Sequence, residues 1–310
     1  MTRQELRAKL IAGSTAEVFA SMRAIGAAER DSRIRHPDHL AARFVGRGLR
    51  LTALSKVPGL RGLMRRASEH ISPGAYYYEL GRGRHMDAIL AAELARGLDQ
   101  LVILGAGFDS RAYRFEASLR GTRVFEVDHP TIAVLKRERV EQIFGGLPGH
   151  VTYAAIDFDT QELASALDLI GYSDSARTLF IWSGVSGYLT TEGVESVLSV
   201  VARGAPGSSI VFDYWFREAI EGNGSYYGIR EASERVARMG EPYRFGIQEG
   251  QTGPFLESLG LELVEDVGPA ELESRYLVRS DGTVHGRPCG FLSIAYARVP
   301  ERPRPSDDSS

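Results

Sequence analysis

The stretch Leu101-Val102-Ile103-Leu104-Gly105-Ala106-Gly107-Phe108-Asp109-Ser110-Arg111 decides the fold. Four apolar residues run into a Gly-x-Gly turn, and helix-compatible sequence follows, the pattern of a strand delivering its carboxyl end to a ligand. Glu126 and Asp128 close the next β-rich run, about 20 residues on, where a carboxylate can accept both hydroxyls of a ribose. Such a turn serves NAD, FAD or S-adenosylmethionine alike. Two residues discriminate: a dinucleotide turn wants glycine where Ser110 stands, and a pyrophosphate is repelled by a carboxylate at Asp109. S-adenosylmethionine has no phosphate and carries a cationic sulfonium and ammonium, so it is the preferred ligand. A tight strand-to-helix turn with no ligand is the plain alternative.

Outward from this turn, apolar runs at 101–104, 123–127, 151–155, 179–182 and 209–214 read as strands, each followed by helix-compatible sequence. Strands apolar on both faces and separated by helices predict a mainly parallel sheet covered on both sides. Two more runs, 261–264 and 291–297, bring the expected total to seven, and Ser280-Asp281-Gly282 within 276–285 suggests an antiparallel edge hairpin. Upstream, residues 1–98 read as a helical region. Ser14-Thr15-Ala16-Glu17 has capping-box spacing, and Val18, Phe19, Met22 and Ile25 share a helical face. The basic stretch 46–68 interleaves arginines with leucines and reads as surface helices with a solvated face. Ser72-Pro73-Gly74 breaks it, and a further amphipathic helix is expected over 85–98. Residues 99–300 form the Rossmann-like α/β domain, with 216–250, which carries Tyr226-Tyr227, as a helical cap. The tail 301–310 has no apolar residue able to anchor it and reads as disordered.

Composition sets outer bounds. The chain has 310 residues, 43% hydrophobic and 25% charged, with 37 Lys+Arg against 40 Asp+Glu. A near-neutral balance argues against a nucleic-acid binder. No run approaches the roughly 20 apolar residues of a membrane span. The lone Cys289 and the missing apolar leader point to a cytoplasmic protein, with Cys289 as a plain loop or core thiol. His36-Pro37-Asp38-His39 lacks the spacing and third ligand of a metal site, so none is expected.

The segments Gly105 to Arg114, Phe125-Glu126-Val127-Asp128-His129-Pro130, Ile156-Asp157-Phe158-Asp159 and Gly184-Val185-Ser186-Gly187-Tyr188-Leu189 together resemble the leucine carboxyl methyltransferase family, which includes bacterial O-methyltransferases that tailor polyketides. The resemblance covers roughly residues 14–300. It implies a class I methyltransferase fold binding S-adenosylmethionine at the strand carboxyl ends. It places Arg82, within Arg82-Gly83-Arg84, on the methionyl carboxylate, with Arg84 beside it. Gly105, Ala106 and Gly107 then form the methionine-side loop, Asp128 holds the ribose with Glu126 as neighbour, and Asp157 and Phe158 meet the adenine. A helix N-cap is the plain reading of Asp157. One departure stands out: relatives carry Glu after the fourth strand, where this chain has Ser183. Either Ser183 hydrogen-bonds in its place, or a nearby acid such as Asp109 compensates, or binding is weakened.

Methyl transfer from a sulfonium is an in-line displacement that needs alignment and water exclusion rather than a covalent nucleophile. A carboxylate acceptor is already ionised, whereas a hydroxyl benefits from a general base, for which His285 is the candidate. Tyr77, Tyr188, Tyr214 and Tyr226 are candidate walls of an acceptor pocket. The leading expectation is O-methylation of a small aromatic or polyketide-like metabolite. Carboxyl methylation of a small acid or protein C-terminus is the nearest variant. A non-methylating S-adenosylmethionine-binding homologue and a Rossmann dehydrogenase are the rivals. The partner expected is a small-molecule methyl acceptor, and the oligomeric state stays open, a homo-oligomer included.

Overall fold

In the computed structural model, residues 16–46, 59–157, 161–239 and 242–301 are described. The expected capping box at 14–17, the basic stretch 46–68 (at 47–58), Phe158 and the tail 301–310 (from 302) therefore lie wholly or partly outside the described residues.

The sheet forms because seven short runs can bury both faces. β1 (Gln100–Leu104) and β4 (Thr178–Trp182) are buried at every position, as is β5 (Ser209–Trp215). β2 (Arg123–Asp128), β3 (Val151–Ala155), β6 (Glu262–Val267) and β7 (Leu292–Arg298) complete the order β3-β2-β1-β4-β5-β7-β6. β3 and β6 at the two edges are the strands whose burial alternates, as half-covered edges should. β1 pairs parallel with both β2 and β4, whereas β7 runs antiparallel between β5 and β6. This is the Rossmann-like class I methyltransferase topology expected from the sequence. The chain winds away from β1 to β2 and β3 on one side and from β4 to β5 on the other. The loops after β1 and β4 therefore diverge and open a crevice at the carboxyl ends, the switch point where open α/β sheets bind ligands. Phe125, Phe180, Trp182 and Phe212, all buried, fill the core beneath it.

Two expectations need correction. The proposed edge hairpin over 276–285 is a single antiparallel bridge between Val278 and Val284 outside the sheet. Its turn is held from elsewhere: Asp31 accepts hydrogen bonds from the Ser280 amide and hydroxyl, both at 2.7 Å. The helix expected over 85–98 begins ten residues earlier and spans Ala75–Ala95. Gly74 at its N-cap has φ 78°, and a Cβ there would lie 2.3 Å from the Cys289 amide nitrogen. The break at Ser72-Pro73-Gly74 thus starts this helix against the β7 side of the molecule. Tyr76, Tyr77 and Tyr78 consequently sit on a buried helix rather than in a loop.

Before it lie helical backbone over 16–27, a turn Ala41–Phe44 and the helix Leu60–Ile71. After β5, the helices Arg217–Ile220 and Ile229–Met239 lead to a segment that returns to the sheet. The Arg244 amide donates to the Gly187 carbonyl (2.7 Å), and the Ile247 amide to that of Trp215 (3.0 Å). Tyr227 donates to Glu69 (2.7 Å), tying this segment to the helix Leu60–Ile71.

Candidate functional site

A cavity of about 350 Å³ opens at the divergence of β1 and β4. Its floor is the turn Gly105-Ala106-Gly107, with Gly105 and Gly107 at φ 59° and 42°. A Cβ at Gly105 would stand 2.3 Å from the Val185 side chain, so glycine is what lets the β1 and β4 loops meet. At one end Asp128 folds onto the turn, accepting from the Gly107 amide (2.5 Å) and its neighbour His129 (2.7 Å). Burial pushes the Asp128 carboxyl upward, opposed by those two amides. At the other end stand Arg82, Ser183, Gly184 and Tyr188, and the helix over 16–27 closes the opening with Ala16, Phe19 and Arg23.

The turn is held from below by Lys136 of the helix Pro130–Phe144, 2% exposed. Its ammonium donates to the Asp109 carbonyl (2.7 Å) and pairs with Glu126 (3.1 Å). Tyr113 donates to the same carboxylate at 2.9 Å. Glu126 is therefore a buried brace, does not line the cavity, and has its carboxyl raised by burial against the pull of Lys136.

Around the methionine-side end runs a chain of buried ion pairs. Arg82 donates to Glu79, one turn back on its helix, and to Asp213 of β5. Asp213, fully buried, also accepts from the Gly184 amide at 2.6 Å. Arg23 binds the far oxygen of Glu79, Asp38 and the Phe108 carbonyl, at 2.9, 2.9 and 2.7 Å. Asp38 accepts from Ser110 (2.6 Å), and Arg114 donates to that hydroxyl (2.8 Å) and to Asp87 (2.8 Å). Burial alone would lower the Arg82 affinity for its proton, but Glu79 and Asp213 outweigh it and hold the guanidinium charged. Burial likewise favours a neutral Asp109, yet Arg111 and Lys136 keep it well below the usual carboxylate range. Two of the five Arg82 N–H groups are engaged by these carboxylates, leaving donors for a ligand.

The structure thus brings Arg82, Gly105, Ala106, Gly107, Asp128, Ser183 and Tyr188 around one cavity, whose lining does not include Arg84, Glu126, Asp157, Tyr77, Tyr214, Tyr226 or His285. Arg84 follows Arg82 by two helical positions, about 200° around the axis, and donates to the Ser32 and Arg35 carbonyls on the opposite side (3.3 and 3.0 Å). Asp157 stands two residues beyond β3, its amide bonded to Gln161 (3.0 Å). Tyr214 points its hydroxyl at Thr252 (2.7 Å) and Asp266 (2.8 Å), Tyr77 packs edge-on against His285 (5.3 Å), and Tyr226 donates to Glu249 (3.0 Å). His285 bonds Arg279 (2.7 Å) away from the cavity, and burial, helped by Arg65 and Arg279, pushes it down to about 4. Asp109, the acid weighed as compensating for Ser183 in the loop after β4, lines the same cavity with its carboxylate paired to Arg111. The carboxylate next to that loop is Asp213, which the sequence reading passed over. Its signal was there: an acid inside Ile210-Val211-Phe212-Asp213-Tyr214-Trp215, a run otherwise apolar or aromatic.

Comparison with known proteins places the chain in sequence and in fold. A family model described as leucine carboxyl methyltransferase matches residues 16–202. YktD of Bacillus subtilis, provisionally named an S-adenosyl-L-methionine-dependent methyltransferase, is 31% identical over 64% of this chain and 65% of its own length, just under two thirds of that relative. A similarly named Streptomyces coelicolor protein, SCO7813, is 30% identical over 67% of this chain and 71% of its own. Among solved structures, a DUF574-family protein from Streptomyces avermitilis superposes with a TM-score of 0.55 at 17% identity, covering 84% of this chain and 97% of that one, which shows the shared fold.

Because Asp213 is the shared anchor of Arg82 and Gly184, replacing it leaves a buried guanidinium short of a partner. Asp213→Ala is expected to lower the unfolding free energy by about 3–5 kcal/mol in urea denaturation. A loss under about 1 kcal/mol would mean that this pair does not hold the loops.

Proposed function

The chain belongs to the leucine carboxyl methyltransferase family, and from that premise we propose that it is an S-adenosylmethionine-dependent methyltransferase acting on a small acidic acceptor. The observation that carries this reading is the cavity itself, with Asp128 folded onto a glycine turn at one end and Arg82 at the other. That donor set suits a ligand with a ribose, an amino-acid end and a cationic sulfur. Asp128 would hold the ribose, with the Gly105–Gly107 backbone along the methionyl chain and Arg82 toward its carboxylate. Glu79 and Asp213 keep Arg82 oriented for that contact, and Lys136 fixes the turn. Asp157 and Phe158 remain the proposed adenine contacts.

When bound, S-adenosylmethionine supplies a sulfonium methyl, whose transfer forms one bond to the acceptor and breaks one C–S bond, leaving the electron pair on sulfur. A carboxylate acceptor brings its negative charge to that exchange, so no proton has to move and no base is needed. The family description favours a carboxylate here. Asp109 is tied in an ion pair and His285 lies outside the cavity, although His129 lines it. A second reading, transfer to a phenol or hydroxyl of an aromatic metabolite, is supported by the rings beside the cavity. Tyr188 packs against Trp215 (5.9 Å) and Tyr243 (5.5 Å), a wall suited to a flat acceptor.

Calorimetric titration tests the cofactor directly. S-adenosylmethionine and S-adenosylhomocysteine are expected to bind, with Arg82→Ala and Asp128→Ala each weakening binding by about 1–3 kcal/mol. Heat with NAD but with neither adenosyl ligand would reject the reading. The acceptor type is separable kinetically: a carboxylate predicts kcat/KM nearly flat from pH 6 to 9, whereas a phenol predicts a rise toward the acceptor's own pKa.

A further inference from the structure

Beside Ser183 lies a second, enclosed cavity of about 30 Å³. Arg23, Arg82, Asp109 and Ser183 line both it and the cavity described above, so the two adjoin at the methionine-side end. The ion pairs account for the arginines and acids around this pocket, but not for His36, which also lines it and is 2% exposed. The Asp38 amide donates to His36 Nδ1 at 3.0 Å, which leaves the ring proton on Nε2. Burial, helped by Arg23, Arg114, Arg111 and Arg84, holds the proton affinity of the ring well below the usual histidine range, so the imidazole is neutral. Among the described residues, Nε2 has no hydrogen-bond partner. It lies against the helix that carries Arg82: a Cβ at Gly83 would stand 2.1 Å from it, and only glycine lets the ring in.

A buried donor without an acceptor is costly, and in native proteins such a group is nearly always met by a ligand atom or an ordered water. The pocket is walled by polar groups and exceeds the roughly 10–15 Å³ that a water needs, yet it is far smaller than an amino-acid group. We propose that His36 is a positioning residue for the cofactor: its Nε2–H donates to a water held in this pocket, and that water donates to the carboxylate at the amino-acid end of the ligand, beside Arg82. This rests on the cofactor reading above. The donors and acceptors balance, because His36 supplies one hydrogen, the water accepts it and has hydrogens of its own to give, and a carboxylate accepts but cannot donate. A water-mediated contact holds a ligand nearly as well as a direct one. Asp128, at the ribose end, does not border the pocket, so the contact reads the amino-acid end alone.

The test titrates two ligands calorimetrically into the full chain: S-adenosylhomocysteine, and methylthioadenosine, which keeps the adenine, ribose and sulfur but lacks the amino-acid end. His36→Asn puts a carbonyl oxygen near the place of Nδ1, so the Asp38 amide keeps an acceptor while the Nε2 donor is lost. It is expected to weaken S-adenosylhomocysteine about tenfold and to leave methylthioadenosine within about twofold. His36→Gln, whose longer side chain carries an amide donor toward the Nε2 position, should recover most of the S-adenosylhomocysteine affinity. Equal weakening of both ligands by His36→Asn would make the residue merely structural, and unchanged affinity for both would make it idle; either result overturns the proposal. A crystal structure of the wild-type complex with S-adenosylhomocysteine gives a readout that needs no variant. A water within hydrogen-bond distance of Nε2 and of the ligand carboxylate is expected, and a complex without it overturns the proposal. Wild-type protein that binds neither ligand rejects the cofactor reading and this assignment with it, whereas binding of both with a ratio unmoved by His36→Asn rejects this assignment alone.

Discussion

One buried guanidinium sets the geometry at the top of the sheet. Arg82 is 6% exposed, on a helix that precedes β1, and it reaches Asp213 on β5 across 131 positions of sequence. Removing such a cation from water costs several kcal/mol, and only close, well-aligned partners offset it. Glu79 and Asp213 are those partners, and each makes a second contact that extends the network. Glu79 binds Arg23 of the covering helix, and Asp213 binds the Gly184 amide of the β4 loop. The helix over 16–27, the glycine turn and the β4 loop are consequently fixed to one another through side chains rather than through the sheet. A ligand entering this cavity meets preset charges, which lowers the ordering cost of binding.

The sheet was readable in the sequence because parallel strands covered on both faces leave near-continuous apolar runs, and β1, β3 and β4 fall within a residue of where those runs predict them. The turn after β1 was equally readable, since its glycines are required by positive φ and by the approach of Val185. Long-range electrostatics was not. Arg82 was singled out only through a family resemblance, and its neighbour Arg84 was carried along although helical geometry turns it away from the cavity. Arg23 gave no local sign of its role because its partners lie 15, 56 and 85 positions distant. Asp213 did carry a sign, an acid in a strand with no exposed face, and such anomalies are worth more than an arginine's proximity to a motif.

The aromatic residues show the same limit. Tyr77, Tyr188, Tyr214 and Tyr226 looked alike in sequence, yet only Tyr188 lines the cavity. Tyr214 is in β5, where successive side chains face opposite sides of the sheet, and its hydroxyl joins Thr252 and Asp266 instead. Tyr77 packs against His285, and neither lines the cavity. His285 lies outside the cavity and His129 lines it, and an acceptor that arrives already ionised is the partner that needs neither.

The most direct test is a crystal structure of the chain with S-adenosylhomocysteine. The account predicts the ribose on Asp128, the thioether along Gly105–Gly107 and the amino-acid carboxylate at Arg82, with Asp213 still bridging Arg82 and the Gly184 amide. Ligand bound elsewhere, or bound here with its ribose away from Asp128 and its carboxylate away from Arg82, would contradict it.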